Sequence, residues 1–95
     1  MSEFDLTRES LERAANIVYR TLAPTPQFAW PLLGAELDAE IWVKHENFTP
    51  TGAFKVRGGL VYFHELLAGG ARPAGVISAT RGNHGQSVGY AARKN

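Results

Sequence analysis

In the run Thr49-Pro50-Thr51-Gly52-Ala53-Phe54-Lys55-Val56-Arg57-Gly58-Gly59, a lysine follows an aromatic residue and a glycine turn at the expected start of a helix. The unpaired amides of a helix N-terminus make a locally positive environment, which disfavours an ammonium and favours its neutral amine. A neutral amine is the nucleophile that Schiff-base chemistry needs. A solvated surface lysine suits the same position, because a first-turn lysine is only mildly penalised. A phosphate loop does not suit it. That motif needs glycine immediately before the lysine and Ser or Thr after it, where this chain has Phe54 and Val56.

A second constellation is Val76-Ile77-Ser78-Ala79-Thr80-Arg81-Gly82-Asn83-His84-Gly85-Gln86-Ser87, which reads as a strand, a tight polar turn and a helix start. Backbone N–H groups at the end of a strand and the start of a helix converge on whatever binds there, so the turn is a generic anion cradle. Gly82, Gly85 and Gly89 miss the spacing of the dinucleotide fingerprint, which disfavours a nicotinamide enzyme. An ordinary βα turn capped by Asn83 fits the same residues.

The elements that must position these groups follow from periodicity. Thr7 suits a helix N-cap, and Leu11, Ala14, Ala15, Val18 and Leu22 recur at helical spacing, with Leu6 placed to staple against Leu11. This predicts a helix from residue 8 to about 20, stopped by the extended Pro24-Thr25-Pro26. A short strand is expected at Trp30-Pro31-Leu32-Leu33, a turn at Gly34 and a better strand at Ile41-Trp42-Val43. Val56, Leu60, Phe63 and Leu67 predict a helix starting near Phe54 and stopping at Ala68-Gly69-Gly70. A strand over Gly75 to Ala79 and a helix carrying Val88, Ala91 and Ala92 complete the pattern. Strand, helix, strand, helix argues for an α/β fold with a parallel sheet. The lysine and the Gly82-Asn83-His84 turn lie one helix and one strand apart, so both emerge at the ligand-binding edge of such a sheet. A three-strand parallel fragment has open edges, and its last helix carries no stop signal at Asn95. The chain is therefore expected to be the N-terminal part of something larger, its edges covered by the remainder of an enzyme or by a second copy.

Composition bounds the alternatives. Ninety-five residues make one small core, and 44% hydrophobic with 20% charged residues is ordinary for a globular chain. Ten basic against nine acidic residues, scattered, do not make the footprint of a nucleic-acid binder. No apolar run spans a bilayer, and the start Met1-Ser2-Glu3-Phe4-Asp5 is too acidic for a secretory signal. With no cysteine, disulfides and Cys-ligated metals are excluded. A cytoplasmic location is expected. His45 and His64 lack ligand spacing, so no metal site is expected. Trp30 and Trp42 read as core aromatics, and Arg57 as an ion-paired helix cation without a catalytic role.

Lys44-His45-Glu46-Asn47 with Thr51-Gly52-Ala53-Phe54-Lys55-Val56-Arg57-Gly58-Gly59 resembles the lysine motif of the fold-type II pyridoxal-phosphate enzymes, in particular the serine/threonine dehydratase branch. Thr80-Arg81-Gly82-Asn83-His84-Gly85-Gln86 resembles that family's substrate loop. Pro24-Thr25-Pro26 is similar to its threonine-proline element, and Tyr90-Ala91-Ala92-Arg93-Lys94 to the helix after the loop.

The resemblance implies pyridoxal 5'-phosphate as cofactor, bound as a Schiff base by Lys55, which then serves as the base for the Cα proton. It implies Phe54 packed on the pyridine ring and Asn83 on the 3-hydroxyl, with Thr80, Arg81, Gly82, Asn83, His84 and Gln86 around the substrate carboxylate. It implies that residues 1–70 open the large cofactor-binding domain and residues 71–95 open the small domain. The implied reaction is dehydration and deamination of a hydroxyamino acid, L-threonine or L-serine, to a 2-oxo acid and ammonia. A serine racemase or a hydroxyaspartate ammonia-lyase would share both motifs, and a non-catalytic α/β binding module would retain them without turnover. Two departures stand out: the family usually has serine at Thr80 and a small residue at Arg81. A cation there suits a more acidic hydroxyamino acid, or simply points to solvent. The resemblance places the phosphate-binding loop and the partner of the pyridine nitrogen downstream of Asn95. About half an active site is then expected here, inactive alone.

Overall fold

The structure, a computed structural model, describes residues 6–95; the acidic stretch Met1 to Asp5 lies outside the described residues. Helix α1 (Arg8–Val18) begins where expected. Thr7 accepts a hydrogen bond from the Ser10 amide at 3.1 Å and the Ser10 hydroxyl returns one from the Thr7 amide at 3.2 Å, a reciprocal cap. The expected staple does not form, since Leu6 and Leu11 are both exposed. The buried stripe of α1 is confined to its end, Ile17 and Val18, and continues to Leu22.

The strand expected at Trp30 to Leu33 is instead the start of helix α2 (Pro31–Leu37). Pro31 occupies its first turn, where a missing N–H costs nothing and a fixed φ favours helix, and Asp38 ends it in the left-handed conformation. The strand, β1 (Gln27–Ala29), lies just upstream and pairs antiparallel with β2 (Trp42–Lys44), with Phe28 opposite Val43. Neither indole is in the core: Trp30 and Trp42 are exposed, and Trp30 Nε1 donates to His45 Nε2 at 3.0 Å.

After a single 3-10 turn (Glu46–Phe48), helix α3 (Lys55–Ala68) and helix α4 (Asn83–Lys94) form the main packing unit. Val18 and Leu22, Val56, Leu60 and Phe63 of α3, and Ala91 of α4 make one buried cluster. Among the described residues the two-stranded antiparallel pair is the whole sheet, and the expected parallel sheet is not formed. Residues 75–79 run without a ladder partner and Ile77 is fully exposed. The physical reason is that a strand needs a neighbour for its alternate N–H and C=O groups, and α3 and α4 pack directly on each other beside it. The Cα radius of gyration, 16.2 Å, exceeds the roughly 12 Å of a compact domain of this length. The core is therefore one-sided.

Arg57 ties the N-terminal elements to α3. Its Nε donates to Glu46 Oε1 at 2.8 Å, and its other nitrogens lie 3.4 Å from Tyr19 Oη and from Thr25 Oγ1. The guanidinium also lies 5.7 Å from the centre of the Tyr19 ring. Burial works to lower its pKa, but hydrogen bonds to Glu46 and Tyr19 and the charge of Glu46 outweigh that and raise it. Arg57→Met should leave a half-buried carboxylate unpaired and cost about 2–3 kcal/mol in chemical denaturation. Arg57→Lys keeps the charge but loses the planar fork, so it should recover less than half of that loss. Full recovery by lysine would show that charge alone matters here.

Candidate active site

The turn that presents Lys55 is built by one buried hydroxyl. Thr49 Oγ1 accepts from the Ala53 amide at 3.1 Å and donates to the Ala53 carbonyl at 2.7 Å, satisfying both backbone groups of the residue that leads into the helix. Phe54 is the N-cap, without a side-chain cap, and Lys55 is the first residue of α3. The Lys55 amine lies 5.7 Å from the centre of the exposed Phe54 ring.

In the second turn the threonine hydroxyl holds the backbone. Thr80 Oγ1 accepts from the amides of Gly82 at 3.0 Å and Gly85 at 2.8 Å, and the Gln86 amide bonds to the Gly82 carbonyl at 3.0 Å. Gly82, at φ 136°, is the N-cap of α4, so Asn83 is the first helical residue and not the cap. The amides of Asn83 and His84 have no protein acceptor among the described residues. They are the turn's open N–H donors. Arg81 is exposed and makes no ion pair among the described residues.

Lys55 and His84 line one cavity of about 500 Å³, whose walls include Tyr62, Phe63, Val76 and Val88. The structure thus brings the lysine and the turn together through the α3–α4 contact, where the sequence pointed to the edge of a sheet. Phe54, Thr80, Arg81, Gly82 and Asn83 stand outside the lining of that cavity, and Gln86 lines a different groove with Thr51, Tyr90 and Arg93. Sequence reasoning passed over Tyr62, Ser78 and Ser87. The Gly58-Gly59 pair was the available signal, since two glycines inside a helix weaken it unless something packs close. Gly59 is where Ser87 and Ala91 approach, and a Cβ there would overlap Ser87 Oγ.

Thr80 and Gly85 are coupled by the same logic. A Cβ on Gly85 would lie 2.6 Å from Thr80 Cγ2. Gly85→Ala should therefore destabilise by about 1–3 kcal/mol. Adding Thr80→Ser, which removes the methyl and keeps the hydroxyl, should restore most of it; additive losses in a thermal-unfolding cycle would refute the coupling.

The family model described as pyridoxal-phosphate dependent enzyme matches residues 18–95. Over 89 residues the chain is 36% identical to a biosynthetic L-threonine dehydratase of Corynebacterium glutamicum, covering 87% of this chain and 20% of that protein. It is 42% identical over 72 residues to an L-threo-3-hydroxyaspartate ammonia-lyase of a Pseudomonas species, covering 73% and 21%. It is 32% identical over 87 residues to the serine racemase of Schizosaccharomyces pombe, covering 92% and 27%. The chain spans about a fifth to a quarter of the length of these relatives. No solved structure matches it significantly. Among the described residues no helix is long and apolar enough to cross a membrane. A lysine at a helix start, a glycine-asparagine turn beside it and a family match over most of the chain agree, and the chain belongs to the pyridoxal-phosphate dependent enzymes.

Proposed function

We propose that this chain supplies the lysine side of the active site of a hydroxyamino-acid dehydratase acting on L-threonine or L-serine. One observation carries the reading: Lys55 and the α4 turn residue His84 line the same cavity. The residues present fit pyridoxal phosphate, because an amine for its aldehyde stands at a cavity with apolar and aromatic walls, within the usual size range of small-molecule sites. Phe54, exposed beside that amine, is available to the ring, and the Asn83 side chain, unpaired among the described residues, to its 3-hydroxyl. When bound, the cofactor supplies an electron sink for charge developing at the substrate Cα.

The chain's own groups do the rest. Lys55 Nζ would hold the cofactor and would then take the Cα proton, as a general base at that atom. The Asn83 and His84 amides bind the substrate carboxylate and fix Cα toward Lys55. Thr80 orders this turn from within, since its hydroxyl is already engaged by the Gly82 and Gly85 amides. Net, the Cα proton and the β-hydroxyl would leave together as one water, and hydrolysis of the released enamine by one water would give a 2-oxo acid and ammonia.

On this reading residues 1–70 belong to the large cofactor domain and residues 71–95 open the small one, in the cytoplasm. Residues 75–79 join a parallel sheet completed by further chain, and Arg81 faces solvent. In the full-length protein, Lys55→Ala should abolish borohydride-trapped labelling by pyridoxal phosphate and lower deamination at least about 10²–10⁴-fold, the order of an acid–base group's contribution. Label retained in that variant would overturn the assignment. The 95-residue chain alone should deaminate neither threonine nor serine and should self-associate in sedimentation, because its apolar face is uncovered. A monomer that turns over threonine would contradict this.

A further inference from the structure

Resting on the reading of Lys55 as the cofactor lysine, we propose that Ser87 is a positioning residue for its amine. Ser87 is fully buried, and its hydroxyl donates to the Lys55 backbone carbonyl at 2.8 Å. This is the one side-chain hydrogen bond between α3 and α4 among the described residues, and it ends on the residue that carries the chemistry. That carbonyl belongs to the first turn of α3, so a helix-internal bond to the Gly59 amide already satisfies part of its accepting capacity. The Ser87 hydroxyl uses the remaining lone pair. Its place exists only because Gly59 has no Cβ, which would overlap the hydroxyl.

The consequence is geometric. Four residues before Ser87, α4 starts at Asn83 and His84, whose amides are open. Ser87 therefore bolts the anion-binding end of α4 to the lysine end of α3, and fixes the separation of proton acceptor and carboxylate. A first-turn residue is otherwise held by few bonds, because the amides that precede it have no partners in the helix. Losing the bolt lets the Lys55 turn shift on α4 without unfolding the core, which rests on Val56, Leu60, Phe63 and Ala91. A displacement of the order of 1 Å in a reacting group slows chemistry about 10²-fold.

The test compares three variants of the intact protein. Each is incubated with pyridoxal phosphate, trapped with borohydride at a series of pH values, and its label at Lys55 quantified by mass spectrometry; thermal midpoints are measured in parallel. Ser87→Ala removes only the hydroxyl, and Gly59→Ala presses on it from the α3 side. Ala91→Gly loosens the same helix contact without touching the bond. Labelling should slow at least about tenfold in the first two and change less than about twofold in Ala91→Gly, even where that variant melts at the lowest temperature. Unchanged labelling in both Ser87→Ala and Gly59→Ala, or an equal loss in Ala91→Gly, overturns the role of Ser87 while leaving Lys55 as the labelled residue. No label at Lys55 in the unaltered protein overturns the reading of the lysine, and this proposal with it.

Discussion

Everything near the site depends on how closely α3 and α4 approach, and a missing Cβ at Gly59 sets that distance. Helices packed through ordinary side chains sit 8–10 Å apart. Here Ser87 and Ala91 occupy the space a side chain at Gly59 would fill. The approach is stabilised by burial of Val56 and Ala91, both at 0% exposure, and by a buried hydroxyl that finds a carbonyl acceptor. Two glycines in one helix weaken it by about 1 kcal/mol each relative to alanine. At Gly59 the tighter contact returns that cost. Nothing packs at Gly58 within contact distance of a Cβ, but it lines the Lys55 cavity, where a side chain would take up ligand space.

The rest of the chain is attached to this pair through polar contacts more than through apolar ones. α1 contributes Val18 to the buried cluster, and the hairpin and α2 contribute no residue to it. What holds the segment before α3 in place is the Arg57 fork, reaching Glu46, Tyr19 and Thr25, with Lys44 Nζ 3.4 Å from the Thr25 carbonyl. A partly buried pair in good geometry fixes orientation better than it adds stability. That segment leads directly into the start of α3 at Lys55.

The sequence was most legible where local periodicity decides. The stripe of Val56, Leu60 and Phe63 gave α3 nearly to the residue, Thr7 gave the start of α1, and Gly82 to Gln86 gave a turn onto α4. It misled where partners decide. Trp30-Pro31-Leu32-Leu33 has the composition of a strand, but proline's preference for the first turn of a helix prevailed, and the strand moved upstream. Val76 and Ile77 are β-branched and strand-like, yet strand geometry needs a neighbour that α3 and α4 do not provide. Trp30 and Trp42 are large and apolar, but a two-stranded ribbon has no second layer to bury them. For the site, the motif residues and the meeting of the lysine with the turn before α4 were visible, and the helix–helix contact that joins them was not. Serine at position 87 reads as one more polar helix residue until the Gly59 contact shows why it is buried.

The turn before α4 divides its backbone donors between bonded and open ones. A turn onto a helix offers several N–H donors, and a single hydroxyl at Thr80 consumes those of Gly82 and Gly85. The donors it spares belong to Asn83 and His84, at the positive end of the α4 dipole. A hydroxyl turned outward would leave the Gly82 and Gly85 amides to water, and the turn would be held by fewer bonds. By spending the hydroxyl on the backbone, the chain leaves a pair of amides open on a turn whose other donors are already bonded, the kind of preorganised donors that stabilise negative charge most effectively. The Thr80 methyl then rests where Gly85 has no side chain, so threonine in place of serine is accommodated by glycine at position 85.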